Sequence, residues 1–356
     1  MTTTPLTFLF NNITRHQLCF VFACFLLVTC TITLANDTNL IGAVGQVKGT
    51  AKVVIPPWFK ESFLDISDDA VEADESGKHL LLFFHLDNCP YCARMLKDNF
   101  NAKPNNAFIQ SNFDSIEINI KGDREVTLSD NIQLTEKALA QHLKVLHTPT
   151  IIFINRDNQS VLRISGYRNP TRFRMALDYV HEKAYLTISF SEFSTSRLKS
   201  ANYIFRTHPS FSATKDFKKT ALNPLAVIFE DASCEDCNEV HDSLFAREDV
   251  SNALSELTVV RIDAMSSERI VDVAGNITTP KAWVKSLNLT YRPGVILFDR
   301  GQEIARIDNR LYSWHFNGFV KWVAGRHYER YPNVYKYMAK LREEHIALGK
   351  NVSYVD

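Results

Sequence analysis

Two Cys-x-x-Cys pairs inside a repeated frame constrain this chain more than any other feature. Cys89 and Cys92 form the first pair, Cys234 and Cys237 the second, and the pairs stand 145 positions apart. The surroundings repeat with them. Leu80–Phe84 runs up to the first pair and Leu225–Phe229 up to the second. Thr148-Pro149 precedes an apolar run, as does Arg292-Pro293, and Tyr167 corresponds to Tyr312. One repeat of this length is a duplicated domain, not a solenoid. A disulfide across two residues closes almost no loop, so it stabilises little through chain entropy. Such a pair suits switching between dithiol and disulfide better than stapling.

Both copies read alike. A short apolar run bounded by polar residues is a buried strand. The Cys pair then opens a helix, over Cys89–Phe100 and from Cys234 to about Arg247. A second strand follows at Asp114–Asn119 and at Thr258–Asp263. Thr135 caps a helix over Glu136–Leu146, and Thr279 with Pro280 starts one over Lys281–Leu287. A strand-turn-strand unit and a last amphipathic helix, Pro170–Tyr185 and Ser313–Val323, close each copy. The order predicts an α/β fold: two tandem domains, each a mixed central sheet with helices on both faces. The domains are expected at 58–189 and 222–325. A leading segment at 36–57, a polar linker at 190–221 and a helical C-terminal tail at 326–356, helical near Tyr335–Leu348, complete the chain.

Arg15 and His16 precede the apolar run Leu18–Leu34, and Thr33-Leu34-Ala35 offers small residues at the positions a signal peptidase reads. Residues 1–35 therefore read as a secretory signal cleaved after Ala35. An uncleaved anchor and a lipoprotein signal at Cys30 are the other readings, and all three place the remainder outside the cytosol. Three of the seven cysteines, Cys19, Cys24 and Cys30, fall in this segment, so the two pairs leave no odd thiol. Lys+Arg and Asp+Glu both number 40, so bulk charge gives no argument for an anionic membrane surface or nucleic acid as partner, and no nucleic acid is expected.

The strand, then Cys-Pro-Tyr-Cys, then Thr-Pro-Thr before a strand hairpin, then Ser165-Gly166-Tyr167, resembles the thioredoxin superfamily. Cys89 and Pro149 are 60 positions apart, wider than in a minimal thioredoxin. The added segment, about Lys121–Asn131, and the ending from Arg326 through Gly349 resemble the exported thioredoxin-like proteins of bacterial sulfur oxidation and periplasmic thiol reduction. The resemblance covers residues 58–356, closely in the first copy and more distantly in the second. It implies tandem thioredoxin-like domains, a periplasmic or otherwise exported site of action, and cis prolines at Pro149 and Pro293. Thr148-Pro149 and Arg292-Pro293 are then the substrate-binding loops. There are departures. Asn88 replaces the usual Trp, Pro90-Tyr91 replaces Gly-Pro, and Phe83 and Ile228 stand where thioredoxins bury an acid. Cys-Pro-Tyr-Cys is also the glutaredoxin pair, but no Gly-Gly follows Pro149, which favours protein dithiols over glutathione.

A thiolate must attack a disulfide sulfur, so the first Cys has to ionise near neutral pH. Unpaired amides and the macrodipole at a helix start favour that charge. Cys89 is the expected nucleophile and Cys92, one turn on, the resolving thiol. Redox disulfides Cys89–Cys92 and Cys234–Cys237 are expected, with no cofactor and no metal. Zinc needs closer pairs, and no His follows Cys92 for haem attachment. Glu235 and Asp236 between the second pair disfavour a thiolate, so that site is expected to be the slower nucleophile, with Arg292 partly offsetting them. His85, at a strand end, reads as surface chemistry ahead of a proton shuttle with Asp87. Tyr167 reads as packing, and the tail as a solvated amphipathic helix. The function expected is thiol–disulfide exchange with protein clients and a redox partner protein, membrane contact arising only through an uncleaved N-terminus. A binding or chaperone adaptor without turnover, and a disulfide isomerase or oxidase, are the alternatives. The oligomeric state is not legible.

Overall fold

A computed structural model describes residues 44–129, 131–197, 203–220 and 222–356. The expected signal segment at 1–35, with its three cysteines, and part of the linker lie outside the described residues. Among the described residues no helix is long and apolar enough to cross a membrane.

Leu80–Phe84 shows no alternation because both faces of its strand are covered. The strand His79–His85 lies between Phe113–Asn119, which it pairs in parallel, and Thr150–Ile154, antiparallel, with Ser160–Ser165 at the far edge. Successive side chains leave a strand on opposite faces. Leu81, Phe83, Ile151 and Phe153 therefore meet the helices Pro90–Met95 and Pro170–His181 on one face. Leu80, Leu82, Phe84, Ile152 and Ile154 meet Ile66–Glu75 and Glu136–His142 on the other. The Pro170–His181 helix presents Phe173, Ala176, Leu177 and Val180, one stripe at helical spacing.

The second copy repeats this frame. Leu225–Glu230 lies between Thr258–Asp263 and Gly294–Asp299, with Gln302–Ile307 beyond. The cross-strand register carries over: Phe83 faces Ile151 as Ile228 faces Val295. The helices on both faces of two mixed sheets are the architecture the element order predicts.

Three segments differ from the sequence reading. The linker is not featureless: it holds a helix at Phe190–Arg197, and Phe211–Ser212 joins the second sheet as an edge strand. Scattered aromatics among Ser and Lys anchor it, with Phe193, Tyr203 and Phe217 all buried. The added segment folds as a two-stranded ribbon, Glu125–Ser129 against Ile132–Thr135. The tail helix Val334–Ala347 is not a solvated amphipath. It buries Val334, Tyr337 and Met338 against the second core, and Met338 fills space that any Cβ at Gly318 would occupy. The leading segment is tied to the tail, Val47–Lys48 pairing in parallel with Val352–Ser353.

Phe100 is wholly buried, with the rings of Phe59, Phe83 and Phe173 at centroid distances of 5.5, 5.3 and 5.6 Å. Phe100→Ala is expected to cost about 3–5 kcal/mol of stability, read as a shift in a urea unfolding midpoint. A cost below about 1 kcal/mol would mean this cluster is not the packed core it looks like.

Candidate functional site

Cys89 ends the turn after the first central strand and sits at the N-cap of Pro90–Met95, with extended backbone (φ −104°, ψ 107°). Pro90 takes the first helical position, where its missing N–H has no partner to lose. The Cys92 amide donates to Cys89 Sγ at 3.1 Å. The helix runs on through a wider π turn, Leu96–Phe100. Cys89 and Cys92 are joined, S–S 2.13 Å. The Thr148–Pro149 peptide is cis, and Thr148 stands against the sulfur, its Oγ1 3.4 Å and its carbonyl oxygen 3.8 Å from Cys89 Sγ. Sequence-predicted Cys89, Cys92, Thr148 and Pro149 thus gather in one place. Cys92 is wholly buried, and Cys89 exposes only 5% of its surface.

That small exposure opens into a cleft of about 710 Å³. Domain 1 supplies one wall, with Asp87, Cys89, His147 and Thr148. The opposite wall is the second domain and the tail, with Leu311, Trp314, His315, Tyr335, Arg342 and Tyr354. Tyr91, inside the Cys pair, fastens the two. Its hydroxyl accepts from the Tyr312 amide at 2.9 Å and lies 3.0 Å from His315 Nδ1, and its ring stacks on Tyr312 at 4.9 Å. Burial raises the Tyr91 phenol far above its ordinary range, so it remains a hydroxyl, and burial keeps the facing His315 neutral near pH 7. Asn309 packs against Gly166, whose φ of 80° and lack of a Cβ both allow the approach.

The second pair is arranged differently. Cys234 and Cys237 are joined, S–S 2.01 Å, and expose 1% and 0%. The Arg292–Pro293 peptide is cis as well. The expectation that this pair opens a helix is corrected. The helix begins at Cys237, with Asp236 at the N-cap position but making no cap hydrogen bond. The Asp236 carboxylate is engaged elsewhere, accepting from Tyr291 Oη at 2.9 Å and from Asn169 Nδ2 at 2.9 Å. Burial and the Asp236 charge hold the Tyr291 phenol well above its ordinary range, so it stays a donor. Glu235 also accepts from Asn169, and Arg172 donates to the Ser233 carbonyl at 3.1 Å. Asn169 and Arg172 belong to domain 1. Each Cys pair is therefore covered by the start of the other copy's last helix, Tyr312 over Tyr91 and Asn169 over Asp236.

Two further expectations change. Arg292 offsets neither Glu235 nor Asp236; it is buried and donates from Nε to Asp231 at 2.8 Å. His85 is not at the surface. It is 5% exposed and lies 2.6 Å from Glu117. Tyr167 is packing, its hydroxyl donating to Asp98 at 2.7 Å. The sequence reading missed Glu230, which is wholly buried, accepts from Tyr203 Oη at 2.7 Å and lies 2.8 Å from His241 Nε2. Tyr203 shares a small buried cluster with the second-pair cysteines. The acid stands four residues before Cys234, not six, and its signal was an acidic pair, Glu230-Asp231, ending an apolar strand.

Burial lowers His79 and His315 from an ordinary 6.5 to about 4, and lowers His147 as well. Their folded affinity for protons is below the unfolded one. Their contribution is complete above about pH 6.5 and is lost as pH falls toward 4, because unfolding then takes up protons. The melting temperature should fall between pH 6.5 and 4.5, and His315→Gln should flatten that fall. A melting temperature constant across the window would contradict it.

A family model described as thioredoxin-like domain matches residues 66–181 and 211–309. A thioredoxin-fold protein from Helicobacter pylori is 24% identical, over 38% of this chain and 91% of its own, with a TM-score of 0.31. A thioredoxin from Thermus thermophilus is 20% identical, over 33% of this chain and 83% of its own, TM-score 0.27. A protein disulfide oxidoreductase from Aeropyrum pernix is 11% identical, over 76% of this chain and 95% of its own, TM-score 0.23. No curated protein matches.

Proposed function

The chain belongs to the thioredoxin-like domain family, and on that premise we propose that it is an exported thiol–disulfide oxidoreductase working through Cys89 and Cys92. One observation carries the reading. Cys89 Sγ sits at a helix start, bonded to a sulfur one turn on and touching Thr148 of a cis-proline loop, with a cleft in front of it. In the reduced chain, the Cys89 thiolate attacks a client disulfide and displaces one client thiolate. Cys92, deprotonated, then attacks Cys89 Sγ and releases the second. Two electrons pass to the client, and Cys89–Cys92 becomes the disulfide. A donor dithiol protein restores the reduced pair by the reverse exchange. The helix-start amide that reaches Cys89 Sγ stabilises its charge in both directions.

The second pair is the less reactive site, and Thr148-Pro149 with Arg292-Pro293 are the loops against which clients lie. The ribbon at Glu125–Thr135 and the C-terminal extension support affiliation with the exported sulfur-oxidation type, and residues 1–35 support export. The test is turnover of a client disulfide by the full chain with a thiol donor. A chain that binds clients without turnover is an adaptor. A Cys89–Cys92 potential in the range of the isomerases reverses the direction.

A further inference from the structure

We infer that the first site selects its clients by shape: it accepts a disulfide carried on an extended, unfolded chain segment and excludes one held on a folded surface. The inference rests on the exchange reading above and deepens it. A cysteine meant to meet a folded surface must stand on a convex, open face. Cys89 instead exposes 5% of its surface, in one wall of a cleft of about 710 Å³. That volume lies within the range of roughly 300–1,000 Å³ that encloses most of a drug-sized ligand, which a short stretch of extended chain matches and a globular domain does not. The far wall is built by this chain's own second domain and tail, through Trp314, His315, Tyr335 and Tyr354. Its aromatic surface offers apolar contact to side chains of a passing strand.

The wall is held in place from several directions. Tyr91 ties it to the Cys pair through Tyr312 and His315. Asp356 Oδ1 accepts from the Ser313 amide at 2.9 Å. The Val352–Ser353 strand is paired with Val47–Lys48, and the leading segment is itself bonded to the site, Val53 N donating to the Asp87 carbonyl at 2.8 Å. His315, Tyr312 and Tyr354 are on this view positioning residues: they touch no reacting sulfur, and they set what reaches it.

The experiment labels Cys89 of the reduced full chain with N-ethylmaleimide and with a maleimide carrying a long polymer. Each rate is measured by peptide-resolved mass spectrometry, natively and in guanidinium. The small reagent should outpace the bulky one at least about tenfold more strongly in the native chain than in the denatured one, because the bulky reagent waits on opening of the cleft. Equal ratios in the two conditions overturn the inference. In Tyr354→Ala and His315→Ala, bulky labelling should accelerate while small-reagent labelling holds; if neither variant folds, the wild-type ratio decides. The same chain should exchange with a free peptide disulfide and lag on that disulfide within a folded domain; equal rates also overturn the inference. Absence of exchange with the free peptide is a different failure. It sinks the enzyme reading, and the inference with it, while the labelling ratio still reports the cleft.

Discussion

Cys89→Ser is expected to lower client exchange at least about a thousandfold, since a serine hydroxyl neither ionises near pH 7 nor leaves as a sulfur does. The geometry makes this one residue indispensable. It lines the cleft and keeps 5% of its surface exposed, while Cys234 and Cys237 expose 1% and 0%. Cys92 is wholly buried behind it and reaches clients only through it. Cys92→Ser should therefore behave differently. The first attack proceeds, the mixed disulfide has no internal thiol to resolve it, and a covalent Cys89–client adduct accumulates, visible on a non-reducing gel. Cys234→Ser should leave most of the exchange rate in place. The measurement is the initial rate of thiol-dependent reduction of a peptide disulfide by wild type and the three variants. Retained activity in Cys89→Ser with loss in Cys234→Ser would invert the assignment and remove the basis for the proposed function.

Where the sequence reading succeeded, the information was local. Leu80–Phe84 and Leu225–Phe229 are apolar on both faces because each strand lies between two helix layers. Thr135 and Thr279 cap helices with their own hydroxyls, within three residues of the amides they satisfy. The partners that cover the sites are far apart in the chain, Tyr91 with Tyr312 and Asn169 with Asp236, and no periodicity reveals them. Likewise, nothing local pairs Arg292 with Asp231 or shows that Val334, Tyr337 and Met338 of the tail helix are covered. The helix start at Cys237 was illegible for the same reason. Asp236 is a good cap by type, and only a distant Asn169 and Tyr291 draw its side chain away. The pairing of Tyr167 with Tyr312 in the repeat did hold a clue, since Tyr312 is the residue that lies on the first site.

The Cys234–Cys237 disulfide should resist reduction in the native chain, with dithiothreitol reducing Cys89–Cys92 at least about a hundredfold faster, the equivalent of roughly 3 kcal/mol of local opening. The sequence argument for a slow second site was charge, through Glu235 and Asp236. The structure supplies a different cause. Both sulfurs are sealed, and the carboxylates are tied to Asn169 and Tyr291. The two causes separate by salt. Repulsion of an incoming thiolate by exposed carboxylates is screened at high ionic strength, so the second pair would speed up. Occlusion is indifferent to salt and yields instead to loosening of the cover. Asn169→Ala removes the contact to Asp236 and also an N-cap, a change of about 1 kcal/mol that should accelerate reduction of the second pair severalfold. The readout is stepwise alkylation with mass spectrometry of each Cys-x-x-Cys peptide along a reduction time course. Similar rates for the two pairs would show that the interface between the domains opens freely. The second copy would then be a working site and not a sealed one.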